Sequence, residues 1–275
     1  MARAPRKWER RNDGYALVTG ASSGIGRACA ELLASWGENL ILVSRDENAL
    51  ALLADKIQTT YAVTAKVLAA DLSLAGSAED LYARCCQAGY RVDTLINNAG
   101  RGLIAKPQHE QDLQDAAALF HLNCASALLL ASLFARAMAE QGFGRILNVA
   151  STAAFQAMPY AALYGASKAF VLSFSEAMHA ELAGRGVRVT AVCPGITDTN
   201  FFKHGKPRVP GWLYPLITPE RVARKGLHAL ARGRACVIPA ARHWLFAQVP
   251  RFLPRSWMPA LMRRVESRRK GIQER

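Results

Sequence analysis

The 275-residue chain has almost no acidic side chains where its basic ones are densest: after Phe202 there are three Asp or Glu against 17 Lys or Arg. Residues 1–202 carry 18 of each sign, so the whole formal charge of +14 belongs to the last quarter. Metal ligands in useful spacing are also lacking. The six cysteines are scattered, apart from adjacent Cys85 and Cys86, with no Cys-x-x-Cys pair and no histidine cluster. That excludes the common zinc and dithiol arrangements and predicts reduced thiols. No repeat, low-complexity stretch or linker divides the chain. Residues 1–14 hold Arg3, Arg6, Lys7, Arg10 and Arg11 without an apolar core. They do not read as a secretory signal; the expectation is a basic, solvated, mobile tail. The longest apolar stretch, 124–134, is too short to span a bilayer and is followed by Arg136. A soluble, cytoplasmic protein is expected, and no nucleic-acid module accompanies the positive charge.

What is present alternates. Short apolar runs at 15–19, 39–44, 65–70, 93–97, 145–150, 188–193 and 235–238 read as strands, with helical patterns between them. Strand and helix in turn predict an α/β fold: one doubly wound, mainly parallel seven-stranded sheet with helices on both faces. The catalytic domain is expected over 15–240, with a basic amphipathic extension over 241–275. Two long helical patterns, 109–139 and 160–183, flank the fifth strand.

The first strand runs into Gly20-Ala21-Ser22-Ser23-Gly24-Ile25-Gly26 and then into a helical pattern from Arg27. Strand, glycine turn and helix suit a dinucleotide. The glycines let the backbone turn sharply and approach a pyrophosphate, which the free N–H groups and dipole of the helix start favour. The spacing is Gly-x-x-x-Gly-x-Gly rather than the commoner Gly-x-Gly-x-x-Gly, and an ordinary strand-to-helix loop is the bland reading of the motif alone.

Tyr164 and Lys168 are four apart in the later helical pattern and share one face of it. An ammonium beside a phenol favours the phenolate, so the tyrosine becomes able to give and take a proton. Ser151 ends the apolar run 146–150, at the carboxyl edge of a strand, where its hydroxyl can hold a substrate oxygen. On spacing alone, a surface tyrosine and a solvated lysine would explain the pair.

Taken together, these motifs resemble the short-chain dehydrogenase/reductase family, with the likeness running from about residue 15 to 238. Thr19-Gly20-Ala21-Ser22-Ser23-Gly24-Ile25-Gly26 is similar to its cofactor motif, and Asn97-Asn98-Ala99-Gly100 to its Asn-Asn-Ala-Gly segment. The resemblance implies a Rossmann-type fold and a carbonyl/hydroxyl oxidoreductase. It makes Asn123, Ser151, Tyr164 and Lys168 the catalytic set, with Tyr164 as acid/base, Ser151 on the substrate oxygen and Asn123 joining Lys168 to solvent through water. It also implies that Asp71 meets the adenine ring, although Asp-Leu-Ser is equally a helix-cap sequence. The implied cofactor contacts are Gly20, Ser22, Ser23, Gly24, Ile25, Gly26, Arg45, Asp71, Asn98, Gly100, Tyr164, Lys168, Pro194, Gly195, Ile196 and Thr199. The segment from Pro194 to Thr199 would close over the nicotinamide carboxamide.

The choice of nicotinamide falls after the second strand, where an acidic side chain binds the ribose 2′-hydroxyl and an arginine pairs with a 2′-phosphate. Ser44-Arg45 favours NADP(H) over NAD(H), with Arg27 adding positive charge, while Asp46 counts against it unless it caps the next helix. The alanine- and leucine-rich faces of the two long helices could all be core; the family implies that they pair with a second subunit's in a homodimer or homotetramer. Phe155, Met158, Phe201, Phe202, Trp212, Leu213 and Tyr214 suggest an apolar or lipid-like substrate under a loop over 197–218. Arg101, Lys106 and His109 either touch substrate or solvate a loop.

For the basic, aromatic last quarter three readings compete: peripheral contact with an anionic membrane, recognition of a charged substrate or carrier, and simple packing with solvated arginines. A nicotinamide-binding sensor or scaffold with little turnover is the alternative to an enzyme.

Overall fold

A computed structural model describes residues 4–11, 13–102, 107–199 and 215–270, with side chains as far as 264. In chain order the elements are β1 (Gly14–Thr19), α1 (Gly24–Ser35), β2 (Asn39–Ser44), α2 (Glu47–Tyr61), β3 (Ala65–Ala69), α3 (Ser77–Gln87) and β4 (Arg91–Asn97). Then follow α4 (Leu113–Phe120), α5 (Ser126–Glu140), β5 (Gly144–Val149), α6 (Ala162–Leu182), β6 (Val187–Val192), α7 (Pro219–Ala231), β7 (Cys236–Val237), α8 (Ala241–Gln248) and α9 (Met258–Lys270).

The strands read as continuous apolar runs because helices cover both faces of the sheet. All seven are parallel, in the order β3-β2-β1-β4-β5-β6-β7. The order reverses between β1 and β4, and that reversal opens the crevice at the strands' carboxyl ends. One apolar cluster, including Val18, Leu33, Leu42 and Leu227, fills one side of the sheet. A second, including Leu17, Leu95, Phe134 and Ile146, fills the other. The expected architecture and all seven strands are present.

Helix boundaries differ in ways that matter to the site. The pattern over 109–139 does not form one helix: the Asp112 carboxylate accepts the Asp115 N–H at 2.8 Å and starts α4, and a π turn, His121–Ala125, separates α4 from α5. Such turns widen a helix locally. By length and composition the run Leu113–Glu140 is apolar enough to cross a bilayer, contrary to the reading of the shorter 124–134 stretch. Here, however, Leu130, Ala131, Phe134 and Met138 are buried in the cluster against the sheet. At the start of α6, Tyr160 has φ 61°, a left-handed conformation that keeps it outside the helix.

The solvated tail expected over 1–14 is contradicted at Trp8. Its indole is buried, packs edge-on to Trp36 at 5.0 Å, and donates from Nε1 to Glu38 Oε1 at 2.7 Å. The guanidinium of Arg145, itself buried on β5, lies 4.1 Å from the Trp8 ring centroid and donates to the Glu9 carbonyl. Burial of so large an aromatic ring, with a guanidinium over its face, ties this segment to the core. The extension is likewise packed onto the fold in its described part, with His243, Ala247 and Met258 buried.

Candidate active site

The site is built outward from β1. After Thr19 the chain turns at Gly20 (φ 63°) and enters α1 at Gly24 (φ 54°), two positions that only glycine fills without strain. A Cβ on Gly20 would come within 2.7 Å of Asn98 Nδ2, and one on Gly24 within 3.0 Å of Thr199 Cγ2. The turn therefore forms a narrow cradle between Asn98 on one side and Thr199 on the other. Ser23, at the N-cap of α1, makes no capping bond with its side chain, and the first turn holds no acidic residue. The helix start thus keeps donors and dipole for an anion, which fits a dinucleotide pyrophosphate. Gly26 sits behind the cradle, where a Cβ would overlap the Gly20 carbonyl; it allows close packing rather than lining the cavity.

Thr19 and Asn98 stitch β1 to β4. Thr19 Oγ1 accepts the N–H groups of Asn98 and Ala99, each at 2.9 Å, and Asn98 Nδ2 donates to the Thr19 carbonyl at 2.9 Å. Asn97 bonds Asn148 at 3.1 Å, and Asn148 bonds Ser175 at 2.9 Å, so a buried amide chain links β4, β5 and α6. Neither Thr19, Asn148 nor Ser175 stood out as a separate site residue in the sequence. For Thr19 and Asn148 the available signal is a lone polar residue within an apolar strand run.

A cavity of about 1130 Å³ extends from this cradle along the strand ends. Ser22, Ser23 and Ile25 line its cradle side, Arg45, Asp46 and Asp71 one end, and Gly100, Ser151, Tyr164 and Lys168 the other. Lys168 is buried, donates to the Val149 carbonyl at 2.8 Å, and its ammonium pKa is pulled down to about 8 by desolvation. Its Nζ and the Asn123 carboxamide oxygen both lie against Gly100, where a Cβ would stand 3.4 and 3.1 Å from them. Ser151 caps the short turn Thr152–Phe155: its hydroxyl accepts the Ala153 N–H at 3.1 Å and lies 3.5 Å from the Pro194 carbonyl.

Asn123 occupies the π turn. Its Oδ1 accepts the Arg101 N–H at 3.0 Å, while Nδ2 donates to the Arg101 carbonyl at 2.9 Å and to Ser167 Oγ at 3.1 Å. It is tied to the loop after β4 and to α6, with no direct bond to Lys168 among its described partners. Ser167 is a further residue that the motif contained but sequence reasoning passed over.

At the far end, Arg45 is largely exposed and its guanidinium stands 3.7 Å from Asp71. Burial raises the Asp71 pKa, but hydrogen bonds from Ser73 and the Arg45 charge outweigh it and hold the carboxyl below its usual value. Asp71 accepts from Ser73 N–H at 3.0 Å and from Ser73 Oγ at 2.6 Å in a local turn, and it does not cap the next helix, whose N-cap is Gly76. Asp46 caps α2 by accepting the Ala49 N–H at 3.0 Å. Arg27 does not join this end. It pairs with Glu31 at 3.2 Å and faces a separate groove of about 390 Å³.

The Pro194 segment closes the other side. Thr152 N–H donates to the Pro194 carbonyl at 2.9 Å, the Ile196 carbonyl accepts from Ile217 N–H at 3.1 Å, and Thr199 roofs Gly24. Pro194, Gly195, Thr197 and Thr199 line the cavity; Ile196 does not. Phe155 packs with Val171 and Leu172, and Met158 covers Gly165, so neither forms a cavity wall. Arg101 bonds Asp115 at 2.7 and 3.1 Å, while His109 is exposed beside Glu110. Lys106, Phe201, Phe202, Trp212, Leu213 and Tyr214 lie outside the described residues.

The pattern described as short chain dehydrogenase matches residues 14–208. A very-long-chain 3-oxoacyl-CoA reductase of Anas platyrhynchos is 33% identical over 245 residues, covering 86% of this chain and 76% of its own length. A short-chain dehydrogenase from Sphingobium yanoikuyae, solved in complex with NADPH, superposes with a TM-score of 0.76 at 30% identity over 87% of this chain and 94% of its own. A bulky-bulky ketone specific alcohol dehydrogenase from Comamonas testosteroni gives a TM-score of 0.74 at 31% identity, over 88% and 93%.

Proposed function

Because the chain belongs to the short-chain dehydrogenase family, and is thereby an oxidoreductase acting on hydroxyl and carbonyl groups, we propose that it reduces a ketone of an apolar or lipid-like molecule with NADPH. The single observation that carries the reading is the convergence of Ser151, Tyr164 and Lys168 on one cavity with the glycine cradle. The NADPH-bound relative and the 3-oxoacyl-CoA reductase support the cofactor and the lipid-like class.

The nicotinamide, when bound, supplies the hydride. Tyr164 gives the proton to the carbonyl oxygen, and Ser151 holds that oxygen by its hydroxyl. The charged Lys168 stabilises negative charge on the phenol oxygen and would bond the nicotinamide ribose. Its present partner, the Val149 carbonyl, keeps Nζ at the cavity wall. Asn123, held by the Arg101 backbone and Ser167, would bind a water that joins Lys168 to solvent. Arg45 would pair with a ribose 2′-phosphate, while one oxygen of the neighbouring Asp46 carboxylate is engaged with the start of α2.

Leu113, Phe120 and Phe170 expose apolar surface on α4 and α6, with Phe170 stacked on Phe174 at 5.8 Å. That face suits a homodimer contact. The reaction is tested by following nicotinamide absorbance with ketones, acyl thioesters and steroid or retinoid alcohols under both cofactors. A response to bulky ketones with NADPH is expected; turnover confined to NADH and small polar substrates would refute the reading.

A further inference from the structure

The last two helices present apolar side chains to solvent in a segment rich in arginine. On α8, His243 and Ala247 are buried four residues apart, and this helical phase turns Trp244 and Leu245 outward, 54% and 60% exposed. Beyond it Phe252 is 84% and Trp257 62% exposed, and Leu261 continues the surface onto α9. Six of the twelve exposed large apolar side chains among the described residues fall between positions 244 and 261. Surface of this kind marks an interaction site rather than scattered exposure.

Charge decides the occupant. Over 241–270, the span of α8 and α9, the sequence has eight Lys or Arg against one acidic residue, Glu266. A second copy packed face to face would oppose two such surfaces, and like charges at a contact are costly. A nucleic acid would answer the charge but not the aliphatic side chains beside the tryptophans. An anionic bilayer answers both: tryptophans settle at the headgroup level, leucines enter the acyl boundary, and arginines such as Arg251 and Arg255 meet phosphates.

We propose that α8, the turn after it and α9 form a peripheral docking surface for a bilayer rich in anionic phospholipid. The inference goes beyond the reaction assignment and does not depend on it, but the two meet structurally. The buried His243 of α8 lies directly behind Gly195, which lines the cavity. Docking would hold that edge of the active site near the membrane, where a lipid-like substrate is concentrated.

The test is co-sedimentation of the full chain with phosphatidylcholine vesicles, with and without phosphatidylglycerol. The chain should pellet with the anionic vesicles, and Trp244→Ala/Trp257→Ala and Arg251→Glu/Arg255→Glu should each lower the partition by about tenfold or more. Both variants should keep turnover of a water-soluble ketone, which separates this proposal from the reaction. Point variants are needed because His243 and Ala247 are part of the core. Equal pelleting with neutral and anionic vesicles, or unchanged pelleting of both variants, overturns the proposal. So does a tryptophan variant that reduces the oligomer size in light scattering without vesicles, which would give the face to a second copy.

Discussion

The imidazole of His243 fills the space that a side chain on Gly195 would occupy: a Cβ there would come within 2.5 Å of its Cε1. A residue of the C-terminal extension thus sets how closely the Pro194 segment can lie to the cavity. Desolvation lowers the His243 pKa, although a hydrogen bond to the Pro215 backbone opposes it. Gly195→Ala should push the segment into the cavity and weaken NADPH binding by about tenfold, with a loss of roughly 1–3 kcal/mol in stability from overpacking. Fluorescence titration reads the first effect and denaturant unfolding the second; an unaltered affinity would show that the packing does not govern the segment.

Tyr164→Phe removes the proposed proton donor and little volume. Reductase turnover should fall by about 10²–10⁴-fold, while NADPH affinity changes little. Single-turnover kinetics that match the parent protein would assign the proton to another group.

Lys168 carries a stability cost that depends on pH. Its folded pKa, about 8, lies below the ordinary 10.5 because the ammonium is desolvated. Between these values the unfolded chain binds more protons, so this group makes stability rise with pH across that window; below it the full cost persists. Lys168→Met should abolish activity yet stabilise the ligand-free protein at pH 7 by up to about 3 kcal/mol. That advantage should vanish as pH passes 10.5. Urea unfolding at neutral and alkaline pH tests this, and a variant less stable at pH 7 would contradict it.

Arg45 lines one end of the cavity together with Asp46 and Asp71, its guanidinium 3.7 Å from the Asp71 carboxylate. Arg45→Glu should lower kcat/KM with NADPH by about 10–100-fold, the worth of a charge-assisted phosphate contact, and raise NADH use relative to it. Equal losses with both cofactors would mean that Arg45 supports the fold of this end rather than reading the phosphate.

Trp8→Ala should destabilise the domain by about 3–5 kcal/mol. It removes a buried ring and leaves Arg145 and Glu38 without their shared neighbour. Thermal unfolding that matches the parent would return this segment to the role of a solvated tail.

The parallel sheet was legible in the sequence because each strand is a short, nearly unbroken apolar run, and helices on both faces demand that pattern. The glycine turn was legible because φ values near +60° at Gly20 and Gly24 leave few residue types available. Tyr164 and Lys168 were legible through helical spacing. The helix limits were less so. Asp112 starts α4 by a side-chain bond, and the π turn at Asn123 has no mark in hydrophobic period.

By itself, then, the sequence determined the elements, the cradle and the charge asymmetry, since these follow from local periodicity, backbone freedom and residue counts. Only the tertiary structure decided that Trp8 belongs to the core, that Arg27 pairs away from the cavity, and that His243 backs Gly195. Each of these relations joins residues distant in the chain or competing for one partner. Burial and ion pairing are settled by what the folded chain brings within a few ångströms, which composition and spacing do not specify.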